Sequence, residues 1–227
     1  MSQPSPEPVP PAVRAQILAT EHWGLLAVRS QTWNEVMGRI SAQLTFTSAV
    51  LVFLALAVQG LGYTETFRIL AITLGLVVLL TGTLTSFRVA NASQEDYFFV
   101  LGMNRLRAAY VALDPTLAPY FVTGIGDDPR QVTQTYTMGP VRDVNHVLAS
   151  AAIFVVVVNS IVVGGLVAFI AWPGGPWLAA ILGVVLALVH VGLWVLHGKR
   201  TYDVNTDPRW VRFPGADGEA DGDAELS

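Results

Sequence analysis

Residues 147–171 read VLASAAIFVVVVNSIVVGGLVAFIA, a run of 25 residues without a single charge. A helix crossing the roughly 30 Å hydrocarbon core of a bilayer needs about 20 predominantly apolar residues, whereas helices of soluble proteins average ~10–14. Three other stretches have the same character: 40–59 (ISAQLTFTSAVLVFLALAVQ), 67–87 with Arg68 at its end, and 177–197 with His190 inside it. Short connectors rich in Gly, Pro and aromatics, 60–66 and 172–176, join these runs in pairs. The pattern predicts an all-α polytopic membrane protein, with four transmembrane helices in two hairpins and a small helical cytoplasmic module between them.

Composition agrees. Of 227 residues, 52% are hydrophobic and 13% charged, against about 25% charged in a soluble domain. Five of the 17 acids (Asp217, Glu219, Asp221, Asp223, Glu225) fall in the last eleven residues, so the body is near neutral and the net −4 belongs to the tail. No basic surface for nucleic acid is indicated. The absence of cysteine excludes disulfides and thiolate chemistry. The start, MSQPSPEPVPP, has neither the basic nor the apolar region of a signal peptide.

Sidedness follows from the bases. Twelve of the 13 Lys and Arg residues flank the spans on one side, and only Arg68 borders the other. The positive-inside rule then puts both termini and the middle segment in the cytoplasm. Trp172 and Trp177, with Tyr63, are expected at the outer interface, Trp194 near the inner one, and Trp23 and Trp33 as anchors of an interfacial helix. The expected organisation is a disordered leader (1–11), a cytoplasmic or interfacial helix (12–39), hairpin one (40–87), a cytoplasmic helical segment (88–146), hairpin two (147–197) and a tail (198–227), acidic and disordered from about 214. Thr32 and Glu35 have the spacing of a capping box that would start a helix leading into span one. In the middle segment Phe99, Met103, Leu106, Tyr110 and Leu113 share one apolar helix face, which Asp114-Pro115 terminates. That face predicts packing against the N-terminal helix or against a second copy.

Within the membrane, ionisable groups are costly and are by default functional candidates. His190 lies on a stripe of small residues, Ala179, Gly183 and Ala187; span three offers a matching one, Ser160, Gly164 and Ala168, with Asn159 beside it. Small residues at four-residue spacing let helices approach closely. Asn159 is 12 residues below Ala171 and His190 is 13 below Trp177, so equal depth predicts an Asn159–His190 hydrogen bond. The alternative use of His190 is as a proton relay or gate. Hydroxyls crowd the inner halves of spans one and two (Ser41, Thr45, Thr47, Ser48; Thr81, Thr83, Thr85, Ser86), for helix packing or for a water-filled vestibule. Asp143 and His146, three apart, fit a helix start better than a metal site, because no third ligand joins them. Asp127-Asp128 lies in a Gly-rich loop, and Gly124-x-Gly126 lacks the rest of a dinucleotide fingerprint. No catalytic, metal or cofactor-binding residues are indicated.

Over 32–59 (TWNEVMGRISAQLTFTSAVLVFLALAVQ) and 102–123 (GMNRLRAAYVALDPTLAPYFVT) the chain resembles uncharacterised four-span inner-membrane proteins of high-GC Gram-positive (actinobacterial) bacteria. The resemblance implies a bacterial plasma membrane and carries over no functional residues. The order of helix, hairpin and cytoplasmic helix is loosely similar to the SLATT-type two-span effectors, in architecture alone. The function expected is therefore that of a non-enzymatic, oligomeric interaction or scaffold protein. It would work in the lipid bilayer through its cytoplasmic helices, against another copy or another protein. The second expectation is a small channel lined by the hydroxyl-rich helices, with His190 as its gate.

Overall fold

A computed structural model describes residues 9–138 and 150–214, and among these every regular element is helical. Five α-helices follow in order: α1 (Pro11–Leu61), α2 (Glu65–Leu113), α3 (Pro129–Thr137), α4 (Ala151–Ala171) and α5 (Pro176–Asn205). Short 3-10 turns cover Pro115–Tyr120, Trp172–Gly174 and Pro208–Trp210. Helices α1, α2, α4 and α5 are each long and apolar enough to cross a membrane. The leader, the 139–149 link with Asp143 and His146, and the acidic tail lie outside the described residues.

The helix ends follow local chemistry. α1 stops where Gly62 takes φ +64, the left-handed value that costs glycine least, and Gly62 N–H donates to the Val58 carbonyl. α2 opens with the Thr64 hydroxyl accepting from Phe67 N–H, and it closes at Asp114-Pro115. Asp114 then caps the 3-10 turn through Thr116 N–H. One expectation needs correction: no new helix starts at Thr32. α1 runs unbroken for 51 residues, because nothing from Ala12 to Leu61 forbids helix and Glu35 turns its carboxylate outward to Arg39 and Arg88.

Contacts divide the chain into two units. The first, residues 32–94 with the described part of 143–203, contains the apolar spans. Its core joins Val36 and Ile40 of α1 to Val89 and Ala92 of α2 and Val155 of α4, with Trp33, Leu44, Ala151 and Ala152 packed around them. α2 and α4 carry most of the packing: 28% of the most apolar window of each is buried, against 6% for α1 and 11% for α5. Glycines set the approach. A Cβ on Gly164 would come within 2.8 Å of the Gly183 carbonyl, and one on Gly183 within 2.7 Å of the Gly164 carbonyl. Apolar surface gains little by leaving lipid for protein, so backbone proximity and interhelical hydrogen bonds hold such helices together.

The second unit comprises residues 9–31, 95–138 and 204–214. Tyr97, Val100, Leu101 and Met103 of α2 pack with Val132 of α3, flanked by Leu25 and Tyr136.

Candidate functional site

In the membrane-spanning unit the hydroxyls bond to their own helices. Thr45, Thr47, Thr81, Thr83, Thr85 and Ser86 each donate to the carbonyl four residues earlier. A hydroxyl satisfied in this way needs neither a partner helix nor water. Span-to-span polarity instead centres on two amides. Gln43 donates to the Val78 carbonyl at 3.2 Å and to Thr47 Oγ1 at 3.3 Å, while Asn159 donates to Thr83 Oγ1 at 3.2 Å. A Cβ on Gly82 would lie 2.3 Å from Asn159 Oδ1, so only glycine leaves room for that amide. Beside it, a cavity of about 10 Å³ lined by Gln43, Thr47, Gly82, Thr85 and Asn159 has room for about one water.

The expected Asn159–His190 bond is therefore replaced by two others. The depth argument holds, but successive helical residues point about 100° apart. Ser160, Gly164 and Ala168 face α5, so Asn159 faces α2. Ser160 Oγ lies 2.7 Å from His190 Nδ1, and Trp194 Nε1–H donates to His190 Nε2 at 3.2 Å. Because indole can only donate, Nε2 must be the accepting nitrogen. Nδ1 then carries the proton and donates to Ser160, whose own hydroxyl goes to the Val156 carbonyl. In this tautomer His190 cannot withdraw a proton from Ser160, and a second ring proton would meet the Trp194 N–H head on. The small stripes do meet: Gly164 approaches Gly183 and Ala187, and Gly183 approaches Ala168, while Ala179 is buried. Of the aromatic anchors, Trp23, Trp172 and Trp177 stand exposed. Trp33 instead packs on the core, and Trp194 lies half-buried against Phe87.

In the second unit the anticipated face of α2 is shifted. Of Phe99, Met103, Leu106, Tyr110 and Leu113 only Met103 is buried; the others are half-buried. The helix is covered from two directions, by α1 and by α3, so the buried surface is broader than one stripe. At its centre sits a polar residue, Asn104, fully buried. Its Nδ2 donates to the Gly126 carbonyl at 2.9 Å; its Oδ1 accepts from Thr135 Oγ1 at 2.9 Å and from Arg107 Nη1 at 2.6 Å. The Gly-rich loop owes its sequence to this hub, since a Cβ on Gly124 would strike the Gln131 carbonyl at 2.2 Å.

Asp127 and Asp128 each have a structural task. Asp128 caps α3 through Arg130 N–H and Gln131 N–H. Asp127, with its side chain fully buried, accepts from Arg105 Nε at 2.8 Å and from the consecutive amides of Arg212 and Phe213. Its own N–H donates to the Phe213 carbonyl, Arg105 also donates to the Trp210 carbonyl, and Trp210 packs edge-on against Phe98. The segment following α5 is thus tied down by one carboxylate. Asp96 receives Arg29 in a two-pronged bond at 2.7 and 3.2 Å. Burial works against the Arg29 charge, but Asp96 overcomes it and raises the guanidinium's pKa. Burial, reinforced by Asp96, pushes the nearby Tyr136 phenol far above its ordinary value. His22 stacks on Tyr110, which stacks in turn on Phe121.

Asn104, Asp127, Gln43 and Gly82 were not singled out as a network by sequence pattern. The available signals were a polar residue beside an apolar stripe (Asn104), an amide within a span (Gln43) and paired glycines on α2 (Gly75 and Gly82). The fold and these sites define an all-helical chain with four helices suited to crossing a membrane. Compared with protein-family models, curated proteins and solved structures, the chain matches none.

Proposed function

We propose that this chain is an integral membrane protein of a bacterial plasma membrane, with both termini cytoplasmic. In this reading it acts without catalysis, as an interaction or scaffold protein that assembles with copies of itself or with another protein through its cytoplasmic helices. The observation that carries the reading is how polarity is used in the spans. Hydroxyls bond back onto their own helices, the two amides are absorbed between helices, and the adjoining cavity has room for about one water. A conducting path needs a continuous row of groups offered to ions or water, and these groups are already spent. The one-sided distribution of bases supports the orientation.

Reconstitution tests the reading. Liposomes containing the purified protein should remain impermeable to small ions, and cross-linking in native membranes should trap discrete oligomers or a defined partner. Reproducible ion flux, abolished by blocking Thr83 or Asn159, would replace this reading with a channel.

A further inference from the structure

Five arginines among the described residues are half-buried: Arg29, Arg68, Arg88, Arg105 and Arg107. Four have carboxylate partners, namely Asp96, Glu65, Glu35 and Asp127. Among the described residues Arg107 has none. A guanidinium drawn partly out of water without a counter-charge calls for an explanation, because desolvated cations are normally paired. Its Nη1 is committed to Asn104 Oδ1 at 2.6 Å, with a longer contact of 3.5 Å to the Gly124 carbonyl. Asn104 is itself pinned by Gly126 and Thr135. The side chain is thus held in place while Nε and Nη2 are left open. These two N–H groups form the fork with which Arg29 grips Asp96 in the same unit, so the structure shows what such a fork accepts: a pair of oxyanion oxygens.

The surroundings are cationic as well. Burial and the nearby Arg29 both lower the proton affinity of Arg107, and burial with Arg107 lowers that of His22. The His22 ring bonds nothing among the described residues except through its stack on Tyr110. A carboxylate brings one negative charge, which the Arg107 fork alone would balance. A phosphate monoester brings nearly two, enough for the fork and for a protonated His22.

We propose that Arg107, held by Asn104 and flanked by His22, is a receptor for a phosphate-bearing ligand. The ligand contributes two oxygens to Nε and Nη2 and holds His22 in its protonated form. The site is independent of whether the chain assembles into oligomers. Two sources offer this chemistry, a soluble phosphate monoester and a lipid headgroup.

The test is NMR of the full chain in phosphatidylcholine nanodiscs, following the Arg107 Nε–H and the His22 ring while inorganic phosphate is added at constant ionic strength, with chloride as control. A second arm replaces free phosphate with phosphatidate in the disc. Saturable shifts of both signals in either arm are expected, and the responsive arm identifies the source. Arg107→Lys keeps the charge and a donor for Asn104 but loses the fork, so the His22 response should need about tenfold more phosphate. Arg107→Gln should abolish it. Equal responses to phosphate and chloride, no shift in either arm, or an undiminished His22 response in folded Arg107→Lys would overturn the proposal.

Discussion

Replacing Asn104 by alanine is the sharpest probe of the second unit. The side chain is fully buried and holds three partners from three parts of the chain. Truncation leaves the Gly126 carbonyl without its donor, which costs about 1 kcal/mol for the bond and a further ~1–3 for stranding a buried acceptor. Thr135 suffers little, because its hydroxyl also reaches the Gln131 carbonyl at 3.1 Å. Arg107 loses its anchor, but water reaches it, so its share is discounted to about 0.5 kcal/mol. The sum is about 3 kcal/mol, or roughly 100-fold in an opening equilibrium. Hydrogen exchange of the intact protein in nanodiscs is the assay, read at the amides of Gly124 and Ile125 and along α3. These should exchange roughly 100-fold faster in Asn104→Ala, while amides of α4 and α5 keep their rates. Asn104→Asp keeps the acceptor facing Arg107 but turns an oxygen on the Gly126 carbonyl, so its loss should be comparable in the loop and smaller at Arg107. Acceleration of less than about threefold, or equal acceleration in α4 and α5, would refute the reasoning that Asn104 organises this unit.

Other expectations follow from single contacts. Gly183→Ala puts a methyl 2.7 Å from the Gly164 carbonyl; it should force the hairpin apart and lower its resistance to denaturing detergent by about 1–3 kcal/mol, whereas Gly192→Ala, with open space around it, should not. Asp127→Asn removes the charge that Arg105 and two amides share, and faster exchange at Arg212 and Phe213 with unchanged α3 protection is the expected result. Trp194→Phe deletes the donor to His190 Nε2, so nitrogen NMR should show loss of the pure Nδ1–H tautomer that the wild type displays. Hydrogen bonds from Arg88 and Arg39 hold the Glu35 carboxyl below its ordinary pKa. A depressed acid stabilises the fold above its unfolded pKa and loses that contribution as pH falls through the folded value. The Glu35–Arg88 link between α1 and α2, followed by spin-label distances, should therefore persist at neutral pH and loosen only in acid. Glu35→Gln should be loose throughout.

The spans were legible because lipid imposes a length and a composition that nothing else in the chain imitates. Their pairing was legible too, since connectors as short as Gly62–Thr64 leave helices no choice but to double back. The extent of α1 was not. A Thr-x-x-Glu spacing signals a helix start only when preceding residues leave the helix, and the residues before Thr32 contain no proline or turn that would make them do so. Glu35 had a stronger use in Arg88, 53 positions away. The α2 face was read one line too narrow, because periodicity records that a helix is covered and not from how many sides. Phe99 and Leu113 are apolar without being central, while Asn104 is central without being apolar.

The misassigned hydrogen bond shows where the limit lies. Depth along a helix follows from counting, at about 1.5 Å per residue, and it placed Asn159 and His190 level. Direction around the helix turns about 100° with each residue, so Asn159 and Ser160 address different neighbours although they are adjacent. The small residues already fix which neighbour each one meets. Ser160, Gly164 and Ala168 form a line spaced by four, that line must face the closest helix, and Gly183 is where it meets α5. Asn159 lies off the line and must meet something else, and the only surface able to admit an amide there is another glycine, Gly82. Close approach therefore takes precedence over polarity in deciding which faces of these helices meet. The amides then bond to whatever those faces bring within reach, which is why Asn159 ends on Thr83 and His190 on Ser160.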